Sequence, residues 1–463
     1  MKILFIYPNL TRQEYISLGI AYLSSCLKRN GHQVYLIDYT FGGKGNDCIK
    51  KIKEIGPDLI CFSLRSGEYN FSSKIASEIK QNFNIKILFG GVHPTVDPEN
   101  TIKDESINMI CLGEGEEALL ELVEKMEKGE DYFSTKNFWF KKDGQVIKNP
   151  LRPLNQNLDS IPFPDRDLFD FKKYVDCRNG NVDMIIGRGC PFHCTYCINH
   201  ILQKLYDGLG KFTRLRRVDN VLEEVDLLVR KYNIKSICFQ DDLFTIDKNW
   251  IKEFSEKYSK EFGLPFQCLS RTEMITPDLC NDLKKAGCQM LAMGIESGNR
   301  SLRQNILKRN NTDEDIINAF KIAREAGIKT HSFNMIGLPY ETQENINESI
   351  KLNRNVKPDF LRISIFQPYP GTELHRICKS EGWITGKEIP ASHKSHSILS
   401  YPNITKKEIK KSKRFFRYNV LKESDKKRAL ISLFIDYNET LLSKLRERIP
   451  KSIIKRVLKM IYS

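Results

Sequence analysis

Residues 187–200 read Gly-Arg-Gly-Cys-Pro-Phe-His-Cys-Thr-Tyr-Cys-Ile-Asn-His, and the rest of the chain is best read outward from this stretch. Cys190, Cys194 and Cys197 fall in a CxxxCxxC spacing just after an apolar run, Met184-Ile185-Ile186, that predicts a short strand. Gly187, Gly189 and Pro191 then break the strand into a loop. Three thiolates on one short loop suit three corners of a four-iron, four-sulfur cube. No fourth cysteine follows closely, so one iron would keep an open position for a ligand. A structural zinc site is the competing reading, with His193 or His200 as fourth ligand. Zinc more usually takes paired CxxC or Cys/His sets at other spacings.

The 463 residues predict two or three domains, and 40% hydrophobic with 28% charged residues is the composition of a globular chain. No run of about 18 apolar residues predicts a membrane span. The first residues, MKILFIYPNL, read as a strand rather than a signal peptide, and the expectation is a cytoplasmic protein. Thirteen cysteines scattered mostly singly suit a reducing compartment, with Cys61, Cys111, Cys238 and Cys268 as buried free thiols. The net charge is +15, and residues 404–463 alone hold 18 Lys+Arg against 6 Asp+Glu. The basic character therefore belongs to the tail.

Residues 1–150 alternate short apolar runs with amphipathic stretches. Strands are expected at Ile3–Tyr7, Val34–Asp38, Leu59–Leu64, Ile87–Phe89 and Met109–Leu112, with helices near 17–29, 46–55, 71–82 and 116–128. The strands lack strict alternation, as in a parallel sheet covered on both faces, so a Rossmann-like doubly wound α/β sheet is expected. Ligands of such sheets sit at the carboxyl ends of the strands. Those ends hold Ser63, the Gly90-Gly91-Val92-His93-Pro94-Thr95 loop and Gly113-Glu114-Gly115-Glu116. The first strand is not followed by GxGxxG, which argues against a dinucleotide. Asp143-Gly144 marks a hairpin within 136–148, and 151–175 reads as a connector.

Residues 176–400 repeat the pattern six times, with strands at Met184–Gly187, Ser236–Asp241, Phe266–Ser270, Met290–Glu296, Thr330–Ile336 and Phe360–Phe366. Six such units predict a partial parallel (β/α)6 barrel whose strand ends surround one mouth, where the cysteine loop opens. Polar residues gather at those ends: Gln240, Asp241 and Asp242; Arg271; Glu296 and Ser297; and Asn334-Met335-Ile336-Gly337-Leu338-Pro339 with Glu341 and Thr342.

The cysteine loop, with Tyr196 before its last cysteine, resembles the signature of the radical S-adenosylmethionine (SAM) superfamily. The GGVHPT and LGEGE loops, followed in order by the IESG and NMIGLP stretches, resemble its cobalamin-binding subgroup over roughly residues 1–400. The resemblance implies a [4Fe-4S] cluster on Cys190, Cys194 and Cys197, and SAM chelated to the free iron and cleaved to a 5′-deoxyadenosyl radical. It implies SAM contacts from Gln240, Asp241 and Asp242 toward the amino group, Arg271 toward the carboxylate, and Glu296 with Ser297 near the ribose. It also implies cobalamin beside Ser63, Gly90, Gly91, His93, Gly113 and Glu114. The DxHxxG motif is absent, so cobalt would have no protein histidine from it, and His93 reads first as a hydrogen-bonding loop residue. The alternative for this domain is a relic that binds nothing.

The expected function is a cobalamin-dependent radical SAM methyltransferase acting on an unactivated carbon of a small or lipid-like molecule, fed by a flavodoxin- or ferredoxin-type donor. Two alternatives stay open: a radical oxidoreductase or cyclase without methyl transfer, and an iron–sulfur scaffold protein. The helical basic region 401–463, with apolar Ala429–Ile435 and amphipathic Ile453–Ile461, has three readings: a cap over the barrel, a peripheral contact with an anionic membrane, or a nucleic-acid surface. The last is disfavoured because aromatics are not interleaved with the cations.

Overall fold

The structure is a computed structural model that describes residues 1–42, 45–386, 389–390 and 396–438. Two sheets dominate it. The first has seven strands: β1 (Lys2–Tyr7), β2 (Gln33–Asp38), β3 (Leu59–Ser63), β4 (Lys86–Gly90), β5 (Met109–Cys111), β6 (Phe138–Lys142) and β7 (Gln145–Lys148), in the order β2-β1-β3-β4-β5-β6-β7. The first five pair in parallel. The expected hairpin exists, and its first strand also pairs antiparallel to β5, so it extends the sheet. Apolar residues cover both faces, which explains the unbroken hydrophobic runs. The order reverses between β1 and β3, placing a crevice at their carboxyl ends.

The second sheet is a curled half-barrel of six parallel strands: β8 (Asn181–Met184), β9 (Ser236–Phe239), β10 (Phe266–Ser270), β11 (Cys288–Glu296), β12 (Lys329–Ile336) and β13 (Phe360–Ile365), in sequence order from β13 back to β8. Its helices start and stop where the sequence signals them. Thr276 caps the Pro277–Ala286 helix by accepting from Leu279 N, and Thr312 forms a capping box with Asp315.

Two expectations about this sheet need correction. β8 ends at Met184, not Gly187, because Gly187–Arg188 turns away to form a two-residue antiparallel ladder with Arg214–Leu215. β9 ends at Phe239, which leaves Asp241 beyond the strand.

The connector is ordered by both sides. Asp165 N donates to Ala21 O at 3.0 Å, and Arg166 reaches Asp183 O at 3.1 Å. Its end is helical, Phe171–Cys177, which the sequence did not signal. Of the tail, helices Lys406–Leu421 and Lys426–Tyr437 are described. The first packs Ile409, Phe416 and Val420 into the apolar layer outside β12 and β13, and so lies along the open edge of the barrel. Ile453–Ile461 lies outside the described residues. Among the described residues no helix is long and apolar enough to cross a membrane. The four expected buried thiols are buried and free.

Candidate active site at the meeting of two strand-end rims

The cysteine loop is clamped from several sides. Thr195 Oγ1 donates to Ile306 O at 2.5 Å, and Thr195 O accepts from Leu374 N at 3.3 Å. Gln203 Nε2 donates to the Cys190 carbonyl. Cys194 is buried, while Cys190 and Cys197 are half-buried. Donors already face the sulfurs: Arg271 Nη1 stands 3.0 Å from Cys194 Sγ and Asn199 Nδ2 stands 3.6 Å from Cys197 Sγ. Such donors stabilise thiolates and tune clusters, so the loop fits an iron–sulfur group. Among the described residues no three His, Cys, Asp or Glu side chains converge as ligands of one ion. His193 is exposed, and His200 Nδ1 is engaged with Cys197 O at 2.6 Å, so neither completes a zinc set.

The expected SAM residues divide. Asp242 is solvent-exposed beside the loop, and its negative charge is felt at Cys190 and Cys197. Crowding by the surrounding chain raises its pKa by partial desolvation, and a hydrogen bond from Asn199 opposes the shift. Asp241 is engaged with backbone. Its carboxylate accepts from Ile186 N at 2.9 Å and Gly187 N at 2.8 Å, fixing the chain that enters the cysteine loop. Burial pushes its pKa up to about 7. Gln240 also faces elsewhere, donating to Asp183 at 2.9 Å.

Arg271 is expected near the SAM carboxylate. It is buried, pairs with Glu273, lies 3.8 Å from the Phe192 ring centroid and donates to Cys194. Its side chain supports the cysteine loop directly. Ser297 is fully buried and caps a turn, its Oγ accepting from Asn299 N at 3.3 Å. Glu296 sits at the mouth with φ 65°, just after a register shift in the ladder with β12. A non-glycine residue held there stores strain of about 1–3 kcal/mol, a feature that concentrates at functional sites.

The sequence reading missed the partner of Glu296. Arg309 is buried on a segment without periodicity, donates to Gly294 O at 2.7 Å and Tyr196 Oη at 3.3 Å, and stands 3.8 Å from the Glu296 carboxylate. It links the aromatic of the cysteine loop to the fourth barrel strand. Glu341 belongs to the stretch after β12. It is fully buried and accepts from Gly337 N at 2.5 Å and Leu338 N at 3.2 Å, holding the turn after β12. Met335 and Ile336 pack into the core.

The rim of the first sheet faces this loop. Glu114 pairs with Arg214 at 3.1 Å and Arg188 at 3.2 Å, and Glu116 pairs with Arg188 at 2.5 Å. Tyr206 Oη accepts from Glu114 N at 2.8 Å. Gly113, at φ 70°, leaves the space that the Tyr206 ring occupies: a Cβ there would lie 1.8 Å from its oxygen. A Cβ on Gly91, at φ 90°, would lie 2.8 Å from Leu64 N. These glycines permit close approach within the chain, and Glu114 links the two sheets.

Ser63 and Gly90 do end adjacent strands. His93 is buried, its Nδ1 3.2 Å from Ser66 Oγ and its ring 4.4 Å from that of Tyr69. Burial lowers its pKa, so the ring is neutral, and its Nε2 is buried without a partner. That orphaned atom beside the β1/β3 crevice fits a polar ligand on this rim. Arg65, Glu68 and Tyr15, which the sequence reading did not single out, line the loops flanking the crevice. Arg65 donates to Glu68 at 3.0 Å and to Tyr15 Oη at 2.8 Å.

The comparisons with known proteins agree with this geometry. Residues 184–352 match the radical SAM superfamily and residues 10–123 match the B12 binding domain. An uncharacterized methyltransferase of Pyrococcus horikoshii is 32% identical over 365 residues, covering 77% of each chain. The anaerobic magnesium-protoporphyrin IX monomethyl ester cyclase of Rubrivivax gelatinosus is 26% identical over 394 residues, covering 81% of this chain and 69% of that protein. In fold, the radical SAM methyltransferase TsrM of Kitasatospora setae with cobalamin and a [4Fe-4S] cluster aligns at a TM-score of 0.70 and 18% identity, over 83% of this chain and 78% of that one. The chain belongs to the cobalamin-binding radical SAM family of enzymes, whose cofactors are a [4Fe-4S] cluster, SAM and cobalamin.

Proposed function

We propose that this enzyme transfers a methyl group to an unactivated carbon of a small molecule. The observation that carries the reading is the locking of the two strand-end rims, in which Glu114 and Glu116 of the B12-type sheet pair with Arg214 and Arg188 beside the cysteine loop. Such a joint brings a methyl carrier and a radical source to one cavity. When bound, the cluster with SAM supplies the hydrogen-abstracting radical and cobalamin supplies the methyl group.

The chain's own residues hold and orient these groups. Cys190, Cys194 and Cys197 hold the cluster, with Arg271 and Asn199 donating to its sulfur ligands. Asp242 suits the SAM ammonium by charge and by its exposure at the mouth. Glu296, steadied by Arg309, is the acceptor for hydroxyl donors. Ser63, Gly90 and His93 line the cobalamin rim. The likeness to the uncharacterized methyltransferase favours this reading, and the likeness to the cyclases favours radical oxidation without methyl transfer as the second.

The test uses anaerobically reconstituted enzyme with cobalamin, SAM and a cell extract as substrate source, driven by reduced flavodoxin. S-adenosylhomocysteine and 5′-deoxyadenosine rising together, with extract dependence, is the expected result. Deoxyadenosine alone would move the assignment to the second reading. A peripheral membrane contact belongs to the proposal through Leu430, Phe434 and Tyr437, which are exposed at 60%, 64% and 63% on one helix near Lys426 and Lys427. The same preparation should co-sediment with anionic liposomes, and failure to do so removes that contact.

A further inference from the structure

The cysteine loop has two sides. The mouth side carries Arg271, Glu296 and the exposed Asp242, the groups proposed above for the cluster and SAM. The other side is held by three segments that reach the surface. Helix Asn199–Leu205 runs straight out of the loop. Residues 306–308 back Thr195, whose Oγ1 donates to Ile306 O at 2.5 Å and whose N donates to Leu307 O at 3.4 Å. Helix Glu373–Ser380 starts at the same place, with Leu374 N donating to Thr195 O at 3.3 Å.

Each segment holds cations in solvent. Lys204, Lys308, Arg376 and Lys379 are exposed. Arg376 and Lys379 share the outer face of their helix, which buries Leu374 and Cys378 on the other side. Lys308, at φ 55°, stands in solvent between buried Leu307 and buried Arg309. Among the described residues none of the four pairs with a carboxylate. On the outer barrel helices, by contrast, Arg230, Lys257 and Lys321 each pair with one. The nearby carboxylates are fewer: Asp207 is exposed, Glu373 is half-buried, and Glu381 is engaged by Tyr340 at 3.1 Å. Leu205, 38% exposed beside Lys204, and the exposed His193 of the loop complete the face. An apolar side chain among charged ones suits a transient protein interface.

A solvated lysine needs no partner, so exposure alone assigns nothing. Position does. These cations surround the outer side of the loop that holds the cluster, and radical formation needs an electron delivered to that cluster. The mouth side is closed to a protein partner by the first sheet, whose Glu114 and Glu116 pair with Arg214 and Arg188. The outer side is left for electron entry. A positive field there steers an acidic partner and speeds its encounter, most strongly at low salt.

We propose that Lys204, Lys308, Arg376 and Lys379 form the docking surface of an acidic one-electron carrier protein that reduces the cluster across the outer side of the cysteine loop. One electron leaves the carrier, which is oxidised by one step, and the cluster gains it; no bond forms or breaks. The proposal rests on the radical chemistry that both readings of the function require, and not on methyl transfer.

The test uses the full-length enzyme loaded with cluster and cobalamin, and flavodoxin as the acidic carrier. Calorimetry should give saturable binding of flavodoxin that weakens several-fold between about 50 and about 300 mM salt. The double variant Lys308→Glu with Arg376→Glu should bind flavodoxin about tenfold or more weakly at the lower salt. Its cluster should be reduced by flavodoxin correspondingly slowly in stopped flow. Photoreduced deazariboflavin, a small uncharged reductant, should reduce it at the wild-type rate. Lys252→Glu, on the outer helix Lys248–Glu261, is the control and should bind flavodoxin as the wild type does. If charge reversal lowers the iron content, Lys308→Gln with Arg376→Gln replaces it, with about a threefold loss of affinity expected. The proposal is overturned by absence of saturable binding, by binding indifferent to salt, or by unchanged affinity in the double variants. It is equally overturned by an equal loss in Lys252→Glu, or by deazariboflavin reduction slowing as much as flavodoxin reduction. Carrier binding that follows this pattern in an enzyme making no S-adenosylhomocysteine would sustain the docking surface and sink the methyl-transfer reading.

Discussion

The two rims that meet at the site are built differently. At the barrel mouth, charged and polar side chains close on the cysteine loop: Arg271 on Cys194, Asn199 on Cys197, and Arg309 across Tyr196 and Glu296. At the rim of the first sheet, the conspicuous residues serve backbone approach and joint formation: Gly91 against Leu64, Gly113 against Tyr206, and Glu114 against Arg214 and Arg188. A reactive charged group needs side chains placed around it. A large, nearly preformed ligand can be received by a rim whose shape is set by glycine crossings. The first rim should therefore break by loss of charge, the second by gain of volume.

Arg309→Met should show the largest effect. It leaves the half-buried Glu296 beside Tyr196 without its counter-charge and strips Gly294 O of its donor, and is expected to cost about 3 kcal/mol in chemical denaturation. Arg309→Lys should recover little, because a point charge cannot span Gly294 O and Tyr196 Oη together. Full recovery by lysine would mean that only net charge matters on this rim. Gly91→Ala should cost about 2–3 kcal/mol, because the added Cβ meets backbone that cannot rotate aside and φ is positive. Cobalamin content after reconstitution should fall while iron content holds, and an equal fall in both would erase the distinction between the rims.

A further effect is a pH slope. Burial raises the Glu341 pKa to about 8, against the amide hydrogen bonds from Gly337 and Leu338. The folded state therefore keeps a proton that the unfolded chain loses near pH 4.5, so stability falls as pH rises from about 5 to 8. Glu341→Gln keeps an acceptor for both amides and removes the titration. Its unfolding free energy should fall less over that range, with a residual slope of the same sign from Asp241, whose pKa is about 7. Identical slopes in wild type and variant would show that Glu341 does not titrate there.

Much of this was legible beforehand because the signals are local. The Thr276-Pro277 and Thr312/Asp315 caps each depend on residues a few positions apart. The cysteine spacing does too. Arg309 was not legible, because it lies on irregular chain more than a hundred residues from the Tyr196 it contacts. Asp241 and Asp242 are adjacent and chemically identical in sequence. One is buried on the amides of Ile186 and Gly187 and the other faces solvent, a difference set by the end of β9.

The sequence by itself determined the two α/β sheets, their succession and the loop that can carry a cluster, because hydrophobic period, caps and cysteine spacing are properties of short stretches. The tertiary structure decided which polar residues remain available. Glu114, Ser297 and Asp241 look like ligands in the sequence and are taken up by Arg214, Asn299 and Ile186 in the fold. A buried polar atom must find a partner wherever the packing offers one, and that choice depends on neighbours the linear order does not reveal.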